Sequence, residues 1–515
     1  MKKLPIGIQT FENLIQEGYY YVDKTGFVHE VTSQGKYYFL SRPRRFGKSL
    51  FLSTIKAAYQ GKRDLFQGLY LEENWDWNQT NPVIHISFGS GHLQKIEDLE
   101  IRFGTILENQ EMEYGITLKR PDLRERFAEL IYSLYSRFSQ KVVILVDEYD
   151  KPILDNIEDR DTAAALRDEL KNYYSVIKDS DPYIQFVFIT GVSKFSKVSL
   201  FSGLNNLQDI TIDRRYSAIC GYTQKDLETV FAERLAGVDL EQVRYWYNGY
   251  SWLGEEVYNP FDILLYLDSK ELRPYWFETG TPSFLIKLMQ ERKYFVPDLE
   301  QVQASEKLLG SFDVDHLEVE TLMFQAGYLT IRKVSQTAGT RRFFLSYPNQ
   351  EVKQSLTDSL LPYLTGNLSA SEKTKFAALD ALEAENPEAL RDIFHAFFAS
   401  IPHDWYRKNQ LAGYEGYYAS IFYCYFAALG LEVIPEDAIS MGRIDLTVKL
   451  EDKVFIFEFK VQGLDKTPGS ALEQIRSRRY ADQYHAPGRK IYLIGVEFDP
   501  RERNIAGFDW ESRNL

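Results

Sequence analysis

Two stretches constrain this chain more than its composition does. Phe39 to Leu50 reads FLSRPRRFGKSL, a strand end, a phosphate-sized loop and a helix start. In such a loop the backbone N–H groups and the positive end of the following helix face phosphates. A lysine reaches the β- and γ-oxygens and a hydroxyl ligates Mg²⁺. Lys48 and Ser49 stand at those positions, with Arg45 and Gly47 beside them. The usual pattern asks for glycine where Arg42 stands, which leaves Gly47 as the only glycine of the loop. The second stretch, Lys141 to Asp150, reads KVVILVDEYD, a β-branched run ending in acids and the pattern of a buried parallel strand. Ligands in open α/β sheets sit beyond the carboxyl ends of the strands. Asp147 is therefore expected beside the loop's Mg²⁺, and Glu148 beside an attacking water. Each stretch alone has a bland explanation, since a GKS triplet occurs by chance and strands often end in acidic turns. Together they favour nucleotide binding.

The intervening chain keeps the alternation of an α/β fold. Pro82 to Phe88 reads as another buried strand, and Thr117 to Gln140 as the helix before the Asp147 strand. Ile184 to Phe195 is a further strand that ends in small polar groups. Ser193 would there hydrogen-bond the γ-phosphate or the water, although a Thr-Gly strand exit needs no function. Arg44, Arg45, Arg214 and Arg215 are all candidates to stabilise transferred phosphate charge; the sequence does not choose among them, and solvated surface arginine is the ordinary role of each. Gly18 to Thr25 is a short aromatic strand leading into a helix capped near Asp23 or Thr25, on the side where a base would sit. From about Gly221 to Gly366 the pattern is mostly helical and ends in two short strands, a helix-then-hairpin order that reads as winged-helix-like. Thr223 and Asp226 form a capping-box-like helix start in this region. The aromatic turns from Trp246 to Trp252 and from Tyr258 to Pro260 read as structural corners.

The last hundred residues hold a second constellation. Gly442 to Leu450 and Lys453 to Val461 read as strands of a hairpin turning at Glu451-Asp452. A two-residue turn sets Asp445 directly opposite Glu458 on one face, with Lys460 two residues on and on the same face. Carboxylates at one cross-strand spacing, roughly 5 Å, repel unless a cation sits between them, and hard oxygen ligands suit Mg²⁺ or Mn²⁺. Such an ion polarises a phosphodiester and acidifies a bound water, while Lys460 orients the nucleophile or offsets developing charge. A surface hairpin with a polar face explains the same residues without chemistry. Glu415, at the start of an apolar helix, is a further candidate ligand, and Gln474 a residue lining the site. Arg476, Arg478 and Arg479 are candidate phosphate contacts or a solvated helix face.

A length of 515 residues implies about three domains. The segments are read as 1–220, a nucleotide-binding domain; 221–366, a helical lid with the winged-helix-like region; 367–405, a helical linker; and 406–515, the domain of the hairpin. An excess of 74 acids over 60 bases argues against a protein that coats nucleic acid or anionic membrane nonspecifically, but leaves room for a local basic groove. Cys220 and Cys424 form no metal or disulfide pattern, so a reducing cytoplasm fits. No segment has the apolar length of a signal peptide or a membrane span.

The stretches LPIGIQTF, YYYVDKT, FLSRPRRFGKSLFLST, ILVDEYDKPI and FITGVSKFS resemble a predicted bacterial AAA-ATPase-like family whose members commonly end in a PD-(D/E)xK nuclease domain. YEGYYASIFY, GRIDLTV, FIFEFKV and ALEQIRSRRY are similar to that nuclease module. The resemblance implies ATP binding by Lys48 and Ser49, magnesium and water handling by Asp147 and Glu148, nuclease metal binding by Asp445 and Glu458, and Lys460 as the motif lysine. Glu415 and Gln474 match outer helix positions. The expected function is an ATP-binding, Mg²⁺-dependent nuclease acting on nucleic acid, DNA by the resemblance, whose C-terminal site is regulated by the N-terminal AAA-like ATPase; a homo-oligomer or a protein partner is compatible with it. The alternative is a nucleotide-driven binding switch with a nuclease-like domain that does not cleave.

Overall fold

The continuous β-branched and aromatic runs become strands of one parallel sheet: β1 (Tyr37–Ser41), β2 (Val83–Ser87), β3 (Val142–Asp147), β4 (Ile184–Gly191) and β5 (Gln208–Asp209), in the order β2-β3-β4-β1-β5. The computed structural model describes residues 1–194, 200–201, 206–276, 283–310, 318–366, 368–401, 415–439, 442–463, 470–484, 486 and 488–514. Val142 to Val146 of β3 are wholly buried. At about 1.5–3 kcal/mol per buried aliphatic side chain, that strand fixes where Asp147 emerges. β4 lies between β1 and β3, so the carboxyl ends of those two strands are two strand spacings apart, about 10 Å, room for a phosphate and its metal. The helix expected before β3 runs Leu123–Phe138, and the Asp122 carboxylate caps it by accepting the N–H groups of Arg124 and Glu125.

Two compact units divide the chain, residues 1–276 with 303–349 and residues 277–302 with 350–515, so the chain passes between them three times. These cuts differ from the four segments read in the sequence. The segment 367–405, the helical linker of the sequence reading, contains the helices Leu368–Glu383 and Pro387–Ser400, and the first of them buries Ala378 and Leu382. In the first unit Thr223 and Asp226 form the capping box of the helix Gln224–Val230, next to a short pairing of β6 (Tyr222–Thr223) with β7 (Val257–Tyr258). The helix Pro260–Ser269 follows, capped by Asn259. A three-stranded sheet, β8-β10-β9, is built from β8 (Val302–Ser305), β9 (Thr330–Thr337) and β10 (Thr340–Ser346), the last two forming the expected hairpin.

The second unit contains a mixed sheet of β11 (Glu432–Ile439), β12 (Gly442–Leu450), β13 (Lys453–Val461), β14 (Lys490–Asp499) and β15 (Asn504–Asn514), in that order. Only β13 and β14 run parallel. The alternation of β13 separates two faces. Phe457 and Phe459 pack on Phe422 of the helix Glu415–Ala428, while Val454 and Ile456 join Leu472 and Ile475 of the helix Ala471–Ser477. Among the described residues no helix is long and apolar enough to cross a membrane, and both cysteines are buried and free.

Candidate nucleotide and nuclease sites

β1 ends at Ser41 and the helix Lys48–Tyr59 begins at Lys48, with Arg45 and Gly47 in left-handed backbone at φ 70° and 92°. Arg42, where the usual pattern has glycine, turns away from the phosphate side and is wholly buried. Its Nη1 donates to the carbonyls of Ser41 (2.9 Å) and Thr211 (2.8 Å), its Nη2 to that of Tyr216 (2.9 Å), and its guanidinium lies 3.9 Å from the ring centre of Trp252. Phe46 meets the rings of Tyr250 and Trp252 edge-on. A loop poor in glycine is thus held in shape from outside by an aromatic corner. Arg42→Ala would take the guanidinium from three buried carbonyls, of which that of Tyr216 keeps the Ile219 N–H at 3.2 Å, and hydrogen bonds to a charged group contribute about 1.5–3 kcal/mol each. We expect it to lower the stability of the first unit by about 3 kcal/mol or more in chemical denaturation, with Arg42→Lys recovering only part; an unchanged midpoint would contradict the anchoring role.

Lys48 Nζ donates to the carbonyls of Arg42 and Pro43, each at 2.9 Å, and burial pushes its pKa below the ordinary lysine range while the Asp147 carboxylate opposes that shift. Asp147 is buried at the end of β3 and its Oδ1 accepts from the Thr190 hydroxyl on β4 at 2.7 Å. Glu148 follows in left-handed backbone, φ 54°. Its carboxylate reaches Gly89 after β2, and burial, with Asp147 second, raises its pKa. The Ser193 hydroxyl donates to Asp150 Oδ2 at 2.7 Å rather than standing open toward a phosphate, and Asp150 also accepts the N–H groups of Ser193 and Val192. Asp150, unremarked in the sequence, is wholly buried and ties the acidic turn to the end of β4. Gly191 permits this: a methyl group there would lie 2.5 Å from Tyr149 Cε1 and 2.7 Å from Asp150 Oδ1.

Beyond the loop opens a cavity of about 490 Å³, enough for a nucleotide. Lys48, Ser49, Gly47, Glu148 and Asp150 line it, as do the apolar side chains of Tyr21, Val22, Tyr222, Phe261 and Leu264. Of the four candidate arginines, Arg44 and Arg45 line it and Arg214 and Arg215 do not; Arg215 pairs with Asp213 at 2.7 Å. Arg45 stacks on Phe261 with its guanidinium 4.4 Å from the ring centre. Phe261 and Leu264 were not legible as site residues, because an apolar helix position carries no signal of its own.

In the second unit the β12–β13 ladder runs from Leu450↔Lys453 to Leu446↔Phe457, the register of a two-residue turn at Glu451-Asp452. Asp445 lies one step beyond the last pair, and its Oδ2 accepts the Phe459 N–H at 2.8 Å. Glu458 is 2% exposed and accepts from the Gln474 side chain, and Lys460 is 5% exposed. Tyr480 is wholly buried behind them; burial raises its pKa first, then the Glu458 charge, with Asp445 contributing, and its hydroxyl donates to the Arg443 carbonyl at 2.6 Å. The sequence pattern gave Tyr480 no role. Arg476, a candidate phosphate contact, is engaged by Glu511 (2.7–2.8 Å), whereas Arg478 and Arg479 are exposed. The side chain of Glu415 lies outside the described residues. Among the described residues no group of three or more His, Cys, Asp or Glu is arranged to hold a metal ion. The Asp445 and Glu458 carboxylates, whose charges both act on Tyr480, nonetheless suit Mg²⁺ by their chemistry, since that ion binds through one or two carboxylates and keeps water or phosphate oxygens in its other positions.

Comparison with known proteins matches residues 5–201 to a family model described as predicted AAA-ATPase. Residues 413–508 match that of the PD-(D/E)XK nuclease superfamily. The chain is 54% identical over 515 residues, 99% of each chain, to "Uncharacterized protein in vnfD 5'region" of Azotobacter chroococcum mcd 1. The chain belongs to the predicted AAA-ATPase family and ends in a PD-(D/E)XK nuclease superfamily domain. The AAA-ATPase match contains the phosphate loop, Asp147, Glu148 and Ser193 but stops short of Phe261 and Leu264, which complete the cavity wall. The nuclease match contains Glu415, Asp445, Glu458, Lys460 and Gln474.

Proposed function

We propose that this AAA-ATPase family member is an ATP-hydrolysing, Mg²⁺-dependent nuclease that cleaves DNA at its C-terminal site under control of its N-terminal site. The observation that carries the reading is the pair of acid–lysine sites, each in its own unit. One has Lys48, Ser49 and Glu148 lining a nucleotide-sized cavity, with Asp147 buried near enough for its charge to act on Lys48. The other has Asp445, Glu458 and Lys460 on one edge of the β12–β13 hairpin. A domain that only held nucleic acid would have no use for converging carboxylates, which repel phosphate. At the first site Lys48 and the loop amides bind the phosphates, Arg45 offsets their charge, the apolar side chains of the cavity wall take the base, and Ser49 with Asp147 would hold Mg²⁺. Glu148 orients and deprotonates the attacking water. At the second, Asp445 and Glu458 would hold Mg²⁺ or Mn²⁺, which acidifies water and polarises the phosphodiester; Gln474 holds Glu458 in place, and Lys460 offsets charge on the phosphorus oxygens.

A nicking assay on supercoiled DNA tests the reading. It requires metal-dependent conversion to nicked or linear forms, and no cleavage with Mg²⁺ or Mn²⁺, with and without ATP, contradicts it. The raised pKa of Glu148 gives a pH prediction. A general base works deprotonated, so ATP turnover should fall as pH drops through that raised value, with its acid limb above the ordinary carboxylate range of about 4–5. A kcat profile that stays flat down to about pH 5 would argue against Glu148 as the base.

A further inference from the structure

We infer that the hairpin of β9 and β10 is a second nucleic-acid contact, one that grips the phosphodiester backbone from the ATPase unit. The inference rests on the nuclease reading for its choice of polyanion. The chain carries a net charge of −14, yet between Glu320 and Glu351 stand Arg332, Lys333, Arg341 and Arg342 and no acidic residue. These cations are exposed, as is the tip Thr337-Ala338-Gly339-Thr340. Concentrating positive charge on a projecting hairpin of an acidic protein makes a local attraction for polyanions against a repulsive background.

The register sorts the four. Arg332 sits at the irregular step of the ladder and is spent on structure, donating to the carbonyls of Tyr347 and Pro348 (2.7 Å each) and facing Glu256. Arg341 is 3.8 Å from Glu306 in a pair exposed on both sides, which contributes little in water. Arg342 opposes Ser335 and Lys333 opposes Phe344, so Lys333, Ser335, Thr337, Thr340, Arg342 and Phe344 share one face. That face offers two cations, three hydroxyls and a half-buried ring. Hydroxyls and cations together are what phosphate and sugar contacts use, and the ring holds one of those cations on the face, the Lys333 ammonium lying 5.9 Å from the Phe344 ring centre. A lipid surface would call for an apolar tip, and the tip here is small and polar.

The hairpin is rooted beside the phosphate loop. A methyl group on Gly327 would lie 2.8 Å from Pro43, the Ser251 N–H donates to the Thr330 hydroxyl at 2.7 Å, and Gln325 accepts the Lys194 N–H at 2.7 Å. It therefore belongs to the first unit, not to the unit holding Asp445 and Glu458.

The test is binding of the full chain to labelled duplex DNA, single-stranded DNA and duplex RNA by fluorescence anisotropy, in chelator and over a range of salt. Lys333→Glu/Arg342→Glu should weaken the probe bound best by about tenfold or more and flatten the slope of log affinity against log salt by about two. A control with the same charge change at exposed positions of the second unit, Lys373→Glu/Arg391→Glu, should leave affinity within about twofold. The inference is overturned if the wild-type chain binds none of the probes, if the hairpin variant stays within about twofold of wild type, if the control weakens binding as much, or if phosphatidylglycerol vesicles are bound more tightly than every nucleic acid. A hairpin-dependent affinity in a chain that never cleaves would remove the nuclease reading and leave the hairpin. Metal-dependent cleavage with a hairpin variant that binds normally would do the reverse.

Discussion

Lys48→Ala is expected to abolish measurable ATP binding. Lys48 is buried in the loop, 7% exposed, with its ammonium against the carbonyls of Arg42 and Pro43. A unit charge about 4 Å from a phosphate contributes about 4 kcal/mol at an effective dielectric near 20. That corresponds to a factor of about a thousand in Kd. Burial already disfavours the charged lysine, so its removal should not unfold the unit. Lys48→Met, which fills the same space, separates loss of charge from loss of packing. Calorimetric titration with a non-hydrolysable ATP analogue measures the effect, and both variants retaining affinity within about tenfold would show that the loop lysine does not meet the phosphates.

Glu458→Gln is the second large effect. Glu458 is buried on β13 with Gln474 against it, so glutamine keeps the volume and a hydrogen-bonding carbonyl while removing the charge. A metal held by Asp445 and Glu458 loses half of its anionic ligands, and cleavage should fall by about a thousandfold or more, since metal and charge stabilisation supply several kcal/mol at the transition state. Thermal unfolding should change little. A Glu458→Gln protein that cleaves at the wild-type rate would move the chemistry away from this hairpin.

The parts of the molecule that follow local rules were legible in the sequence. The parallel strands announced themselves as apolar runs, and the two-residue turn at Glu451-Asp452 set the β12–β13 register from counting alone. The capping box at Thr223 and Asp226 needs only four residues to form. What escaped depends on distant partners. Arg42 looks like a defect in a phosphate loop until Thr211, Tyr216 and Trp252 are seen around it. The turn containing Tyr250 and Trp252 was read as a corner and is one, but its partners are the loop residues Arg42 and Phe46. Ser193 had the position of a phosphate sensor, and its hydroxyl goes instead to Asp150, forty-three residues earlier. Tyr480, Phe261 and Leu264 are ordinary apolar or aromatic positions whose place at a site is made by tertiary packing.

The phosphate loop lies against the root of the basic hairpin at Pro43 and Gly327, and on the proposed reading that contact would link bound nucleotide to the hold on nucleic acid. The most direct test of the central claim is the rate of metal-dependent DNA cleavage measured across a range of ATP concentrations for the wild-type, Lys48→Ala and Glu458→Gln proteins. A nuclease governed by its ATPase site predicts a wild-type rate that changes several-fold with ATP, a Lys48→Ala rate that does not respond, and no cleavage by Glu458→Gln. Cleavage at one rate in wild type and Lys48→Ala at every ATP concentration would contradict it.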